Sequence, residues 1–123
     1  MVQATWIEIP VGDIERAARF YQAVFELAPK DFFNGDVRRT YNLFYDETMV
    51  KPGISLNQTA NFEPSDKGLF VYLDCGEDLT PTLNRVEGAG GKIVTPKSSI
   101  EPDGFYAAIK DSEGNLLGLY STK

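Results

Sequence analysis

The sequence predicts an α+β fold built from two βαβββ modules, and three observations carry that prediction. Two segments open alike, each an apolar strand pattern leading through a Gly-and-Asp turn into an amphipathic helix: Trp6–Val11 before Gly12-Asp13, and Gly68–Cys75 before Gly76-Glu77-Asp78. Each helix is followed by three short strand patterns separated by turn residues. The two aspartates at the helix starts, Asp13 and Asp78, stand about half of the 123-residue chain apart, as an internal duplication would place them.

The elements follow in order. Asp13 is a good N-cap, and Ala17, Phe20, Tyr21 and Val24 recur on one helical face. Strands are expected at Lys30–Phe33, Val37–Tyr45 and Gly53–Thr59, divided by Asn34-Gly35-Asp36 and Lys51-Pro52-Gly53. A polar connector spans residues 61–67, dividing a first module at 1–60 from a second at 68–123. In the second module Asp78 or Thr80 caps the helix and Pro81 suits its first turn. Leu79, Leu83 and Val86 form its apolar stripe, and Gly88, Gly90 and Gly91 end it. Strands follow at Lys92–Pro96, Gly104–Lys110 and Leu116–Thr122, the last two joined by Ser112-Glu113-Gly114-Asn115. Short connections between strands favour antiparallel pairing over a parallel α/β sheet. A ferredoxin-like module would need a second helix in each half, and no pattern for one is present.

Composition narrows the chemistry. The net charge is −6 and the basic residues are scattered, with Arg38-Arg39 the only adjacent pair; nucleic-acid binding needs a basic stripe. The opening residues lack the basic and apolar regions of a signal peptide, and no apolar run approaches the ~20 residues of a membrane span. One cysteine, Cys75, allows no intrachain disulfide and reads as a small core residue, so a reducing, cytoplasmic setting is expected. There is no histidine, which removes the usual neutral-pH base and the commonest metal ligand, and with them any Ser-His-Asp or Cys-His nucleophile. The glycines form no GxGxxG or P-loop phosphate cradle.

The segment Ile7-Glu8-Ile9-Pro10-Val11-x-Asp13-x-x-Arg16-Ala17-x-x-Phe20-Tyr21-x-x-Val24-Phe25 resembles the opening of the vicinal oxygen chelate superfamily, which holds glyoxalases, bleomycin-resistance proteins and extradiol dioxygenases. Val71–Cys75, Arg85–Ile93, Pro96-Lys97, Gly104-Phe105 and Asp111-Ser-Glu-Gly-Asn115-x-x-Gly118-Leu119 extend the resemblance across the chain, toward a glyoxalase-related branch. The resemblance implies modules whose strands curve into a cup with the helices outside, and pairing of modules as a homodimer. It also implies four places from which metal-binding relatives hold their ion. Here they carry Trp6, a residue near Ser55, Phe70 or Val71, and Gly118. Those side chains supply no set of nitrogen, carboxylate or thiolate donors, so no metal and no cofactor is expected.

Strand alternation then sorts the remaining candidates. Trp6, Glu8, Tyr72, Tyr106, Gly118 and Tyr120 are assigned to the cup, with Ser55; Arg38 and Arg39 alternate faces, so one of them can partner Glu8 or an anion there, and Arg39 is counted among the candidates. An aromatic wall with one carboxylate suits a flat or cationic organic molecule, which bleomycin-resistance proteins sequester without metal catalysis. The leading expectation is therefore a small-molecule binder and not a metal-dependent lyase or dioxygenase. One rival is a metal-free isomerase or lyase with Glu8, raised in pKa by burial, as general base and Tyr72 as acid. The other is a structural or partner-binding module.

Overall fold

A computed structural model of the chain describes residues 2–48 and 50–123. The order is β1 (Trp6–Pro10), α1 (Ile14–Phe25), β2 (Phe33–Asn34), β3 (Arg38–Phe44), β4 (Gly53–Thr59), then β5 (Tyr72–Asp74), α2 (Thr80–Val86), β6 (Lys92–Ile100), β7 (Gly104–Lys110) and β8 (Leu116–Ser121). Each half is a strand, a helix and three strands. Each half forms its own open, mixed four-stranded sheet, ordered β1-β4-β3-β2 and β5-β8-β7-β6. In both, the strand before the helix pairs in parallel with the last strand and the remaining pairs are antiparallel.

The first helix forms where the apolar spacing and the cap coincide. Ile14, Ala17, Ala18, Phe20, Tyr21 and Val24 are buried, and the Asp13 carboxylate accepts from the Arg16 amide. The second helix begins differently from expectation. Leu79 occupies the cap position and Asp78 accepts from the Thr80 amide at 2.9 Å, an Asx turn just outside the helix. Both helices end with an amide reaching back five residues, Leu27 to the Gln22 carbonyl and Gly91 to the Val86 carbonyl. One apolar core joins the modules: Tyr41, Leu43, Ile54 and Leu56 of the first sheet with Leu73, Ala107, Ile109, Leu117 and Leu119 of the second, all facing the helices.

Three strand expectations need correction. The β2 pairing starts only at Phe33, because the Lys30 amide donates to the Tyr41 hydroxyl and its ammonium to the Leu43 carbonyl instead of entering a ladder. The apolar run from Leu69 shrinks to Tyr72–Asp74, leaving Leu69 96% exposed. Conversely β6 continues through Pro96 to Ile100, since two register shifts, between Ile93 and Thr95 and between Thr95 and Ser98, leave the proline outside the ladder.

Candidate functional site

The sheet faces turned away from the helices carry the expected site residues, but in two groups rather than one wall. On the first module's face β4 supplies a polar floor. Ser55 and Asn57 are buried there, and the Asn57 amide donates to the Ser55 hydroxyl at 2.8 Å. The Trp6 indole N–H donates to the same hydroxyl at 3.0 Å, and the Asn57 carbonyl accepts from Thr40 at 3.0 Å and Arg38 at 3.4 Å. Tyr45 lies against the Trp6 ring, centroids 5.7 Å apart. Among the described residues every buried side-chain polar atom has a partner, so this floor is held rigidly from beneath.

On the second module's face the walls are aromatic. Phe70 stacks on Tyr72 at 4.9 Å, and Tyr72 meets Tyr106 edge-on at 6.4 Å. Tyr106 lies opposite Tyr120 across β7 and β8. The Tyr120 hydroxyl donates to the Asp103 carbonyl, which ties that ring to the β6–β7 turn.

Two placements differ from the alternation argument. Glu8 is not buried in an apolar cup. Its side chain is 40% exposed and pairs with Arg38 at 2.7 Å. Arg39 points to the helix side, where it pairs with Glu15 at 2.6 Å, donates to Asn34 and covers Phe32, so Arg38 is the arginine of the open face.

The strand register sets which residues lie beneath the open-face rings. Trp6 lies opposite Gly53 in one parallel pair and Tyr72 opposite Gly118 in the other. Glu8 lies opposite Ser55, two residues after Trp6, as Tyr72 lies opposite Gly118, two residues after Phe70, so matching Trp6 with Phe70 and Ser55 with Gly118 is compatible with the register. The two modules use one device: an aromatic ring lies over a strand with no side chain there. A Cβ on Gly53 would sit 2.3 Å from the Trp6 ring, and one on Gly118 would sit 2.5 Å from Phe70 and 2.6 Å from Tyr72. At the places the resemblance implies for an ion, an indole donating its only proton, a serine hydroxyl accepting it, a phenylalanine or valine and a glycine do not make a donor set. Among the described residues no three His, Cys, Asp or Glu groups converge either.

What the sequence did not disclose is how the modules are locked. The turn from Asp111 to Asn115, part of the motif that carried the resemblance, is a clasp. Buried Asp111 accepts from the Tyr21 hydroxyl at 2.7 Å and from the Glu113 and Asn115 amides. The Asn115 amide group donates to the Pro10 carbonyl at 2.8 Å, and its oxygen accepts from Ser65. Glu113 accepts from the Gly12 and Asp13 amides at 3.0 and 2.9 Å and holds Arg16 through two contacts. Burial disfavours its charge, yet Arg16, the Asp13 amide and Ser112 outweigh that and hold the carboxyl below its usual value. Burial, and Asp111 beside it, push the Tyr21 hydroxyl far up, and burial raises the Cys75 thiol, as suits a packing residue.

A cleft of about 700 Å³ opens between the β3–β4 loop, the end of α1 and β5, and one of about 170 Å³ lies between β1 and the connector. Among the described residues no helix is long and apolar enough to cross a membrane.

Comparison with known proteins gives this frame a family. The model of the glyoxalase/bleomycin resistance protein/dioxygenase superfamily matches residues 3–119. No curated protein matches the chain. Among solved structures it is similar to a glyoxylase/bleomycin resistance protein/dioxygenase domain from Frankia sp. EAN1pec, with TM-score 0.77 and 18% identity over 100% of this chain and 93% of that one. A glyoxalase/bleomycin resistance protein/dioxygenase family enzyme from Burkholderia phytofirmans PsJN gives 0.71 and 18%, over 99% and 100%. Glyoxalase I from Zea mays gives 0.74 and 15%, over 96% of this chain but 44% of the longer maize chain. With the matched residues running from the first strand to the last, this chain belongs to the glyoxalase/bleomycin resistance protein/dioxygenase superfamily.

Proposed function

We propose that this protein binds a small aromatic or cationic organic molecule against its open sheet faces, without metal catalysis. The observation that carries the reading is the aromatic device repeated in both modules, Trp6 over Gly53 and Tyr72 over Gly118; of these, Trp6 and Gly118 stand where the resemblance implies metal donors in relatives. Aromatic rings held by packing and hydrogen bonds present area and a negative π face to a ligand at small entropic cost. The overall charge of −6 favours a cation weakly, an effect that salt screens. The Glu8–Arg38 pair and the exposure of Glu8 speak against the isomerase or lyase alternative. The reading places the protein in the cytoplasm, as a homodimer, and away from nucleic acid. The exposure of Leu69, Phe70 and Tyr72 supports a second copy, and the acidic balance supports the last point.

A thermal-shift series with cationic glycopeptide drugs and aromatic amines tests it. At ligand concentrations a hundredfold above Kd, a binder of the native state gains about 2.7 kcal/mol, and Trp6→Ala with Tyr72→Ala should lose that gain. Unchanged unfolding temperature across the series would remove the reading.

A further inference from the structure

The larger cleft opens beside the open sheet faces and shares Tyr45 and Tyr72 with them. Phe25, Phe44 and Tyr45 form its walls with Tyr72, and Leu43, Ile54 and Leu73, which face the helices, form its base. A bulge between Asn42 and Phe44 makes this possible by turning Phe44 to the helix side, edge-on to Phe25 at 5.8 Å. A volume of about 700 Å³ lies within the range of small-molecule sites.

Its charges are unequal in availability. The Asp46 carboxylate accepts from the amide and hydroxyl of Thr48 and is held below its usual value by them, with Lys51 contributing. The Asp74 carboxylate accepts from the Gly76 amide. The Lys30 ammonium instead donates to the Leu43 carbonyl, at 2.8 Å, and among the described residues no carboxylate lies within ion-pair distance of it. We infer that this cleft is a second binding site, for an aromatic carboxylate whose ring packs among Phe25, Phe44, Tyr45 and Tyr72 and whose anion meets the Lys30 ammonium. The chain's net charge of −6 opposes such an anion only weakly, because salt screens charges more than about 8 Å away at physiological ionic strength.

The test uses 2-naphthoate and its neutral analogue 2-naphthamide, followed by amide chemical shifts of the isotopically labelled protein. The expected result is saturable 2-naphthoate shifts at Phe25, Leu43–Asp46, Ile54 and Leu73, with weaker binding of the amide. Lys30→Gln should weaken 2-naphthoate roughly three- to fivefold, the scale of an exposed charge pair, and leave 2-naphthamide unchanged, while Lys30→Arg keeps the preference. Spectra of both variants in the absence of ligand check the fold. Equal affinity for the two probes, or no shift in the cleft at millimolar 2-naphthoate, would overturn the inference. Shifts confined to Glu8, Ser55, Asn57 and Tyr106 would overturn it too, while favouring binding on the open sheet faces.

Discussion

At the residue scale the most informative positions are the glycines under the rings. An alanine at Gly53 must push aside the Trp6 ring, and Trp6 is anchored by its bond to Ser55. We expect Gly53→Ala to cost about 1–3 kcal/mol, as overpacking does, and to shift the emission of the protein's only tryptophan. A variant with unchanged emission would show that the ring is not held there. Glu26 offers the opposite case. It closes α1 in the left-handed region at φ 55°, where a side chain is strained, and its contact with Arg85 is a long 3.7 Å. Glu26→Gly should therefore stabilise the fold by about 1 kcal/mol, read as a higher urea midpoint at constant slope. The individual faces of Trp6, Tyr72, Tyr106 and Tyr120 were readable from alternation, because a regular strand leaves no choice. The choice between Arg38 and Arg39 was not. It depends on which long side chain finds Glu8 and which finds Glu15 across α1, and two neighbouring arginines look alike in sequence.

At the scale of elements, helix and strand order followed from periodicity and turn chemistry, and misjudgements fell where a tertiary partner replaced a local one. Lys30 left its strand for Tyr41 and Leu43, and Pro96 stayed inside one through bulges. The Asp111–Asn115 turn is the clearest instance. Locally it is only a good turn, but it caps a helix about a hundred residues earlier in the chain, a pairing no local pattern announces. Asp111→Ala should cost about 3 kcal/mol or more, since it strands the buried Tyr21 hydroxyl and two backbone amides. Glu113→Ala should cost about 1–2 kcal/mol, the scale of a lost cap. Equilibrium denaturation of both variants checks the order; a neutral Asp111→Ala would mean that the clasp does not hold the modules together.

For the whole molecule, charge sets the response to pH. With no histidine, stability should be nearly flat between about pH 5.5 and 8. Below that range it should fall. The amide and hydroxyl of Thr80, with Lys97, hold the Asp78 carboxyl at about 2. Arg39 lowers Glu15, and Lys110 with Lys67 lowers Asp66. A carboxylate depressed in the folded state stabilises above its unfolded pKa, about 3.9 for Asp and 4.3 for Glu, and that contribution is lost as pH drops through the folded value. The decline should therefore run from about pH 5 toward 2, and unfolding temperature against pH measures it. The two-module frame was readable at this scale because the two halves repeat one pattern, and the family came from the resemblance of the Ile7–Phe25 and Asp111–Leu119 motifs. The division of the expected wall into two faces was not, since the packing of one module on the other is decided by the clasp and the shared core.

The most direct measurement titrates an aromatic amine against Trp6 fluorescence, with and without a strong divalent-metal chelator. The account predicts saturable quenching that the chelator leaves unchanged and that Tyr72→Ala weakens. Quenching that vanishes on chelation and returns with added zinc, manganese or iron would contradict it.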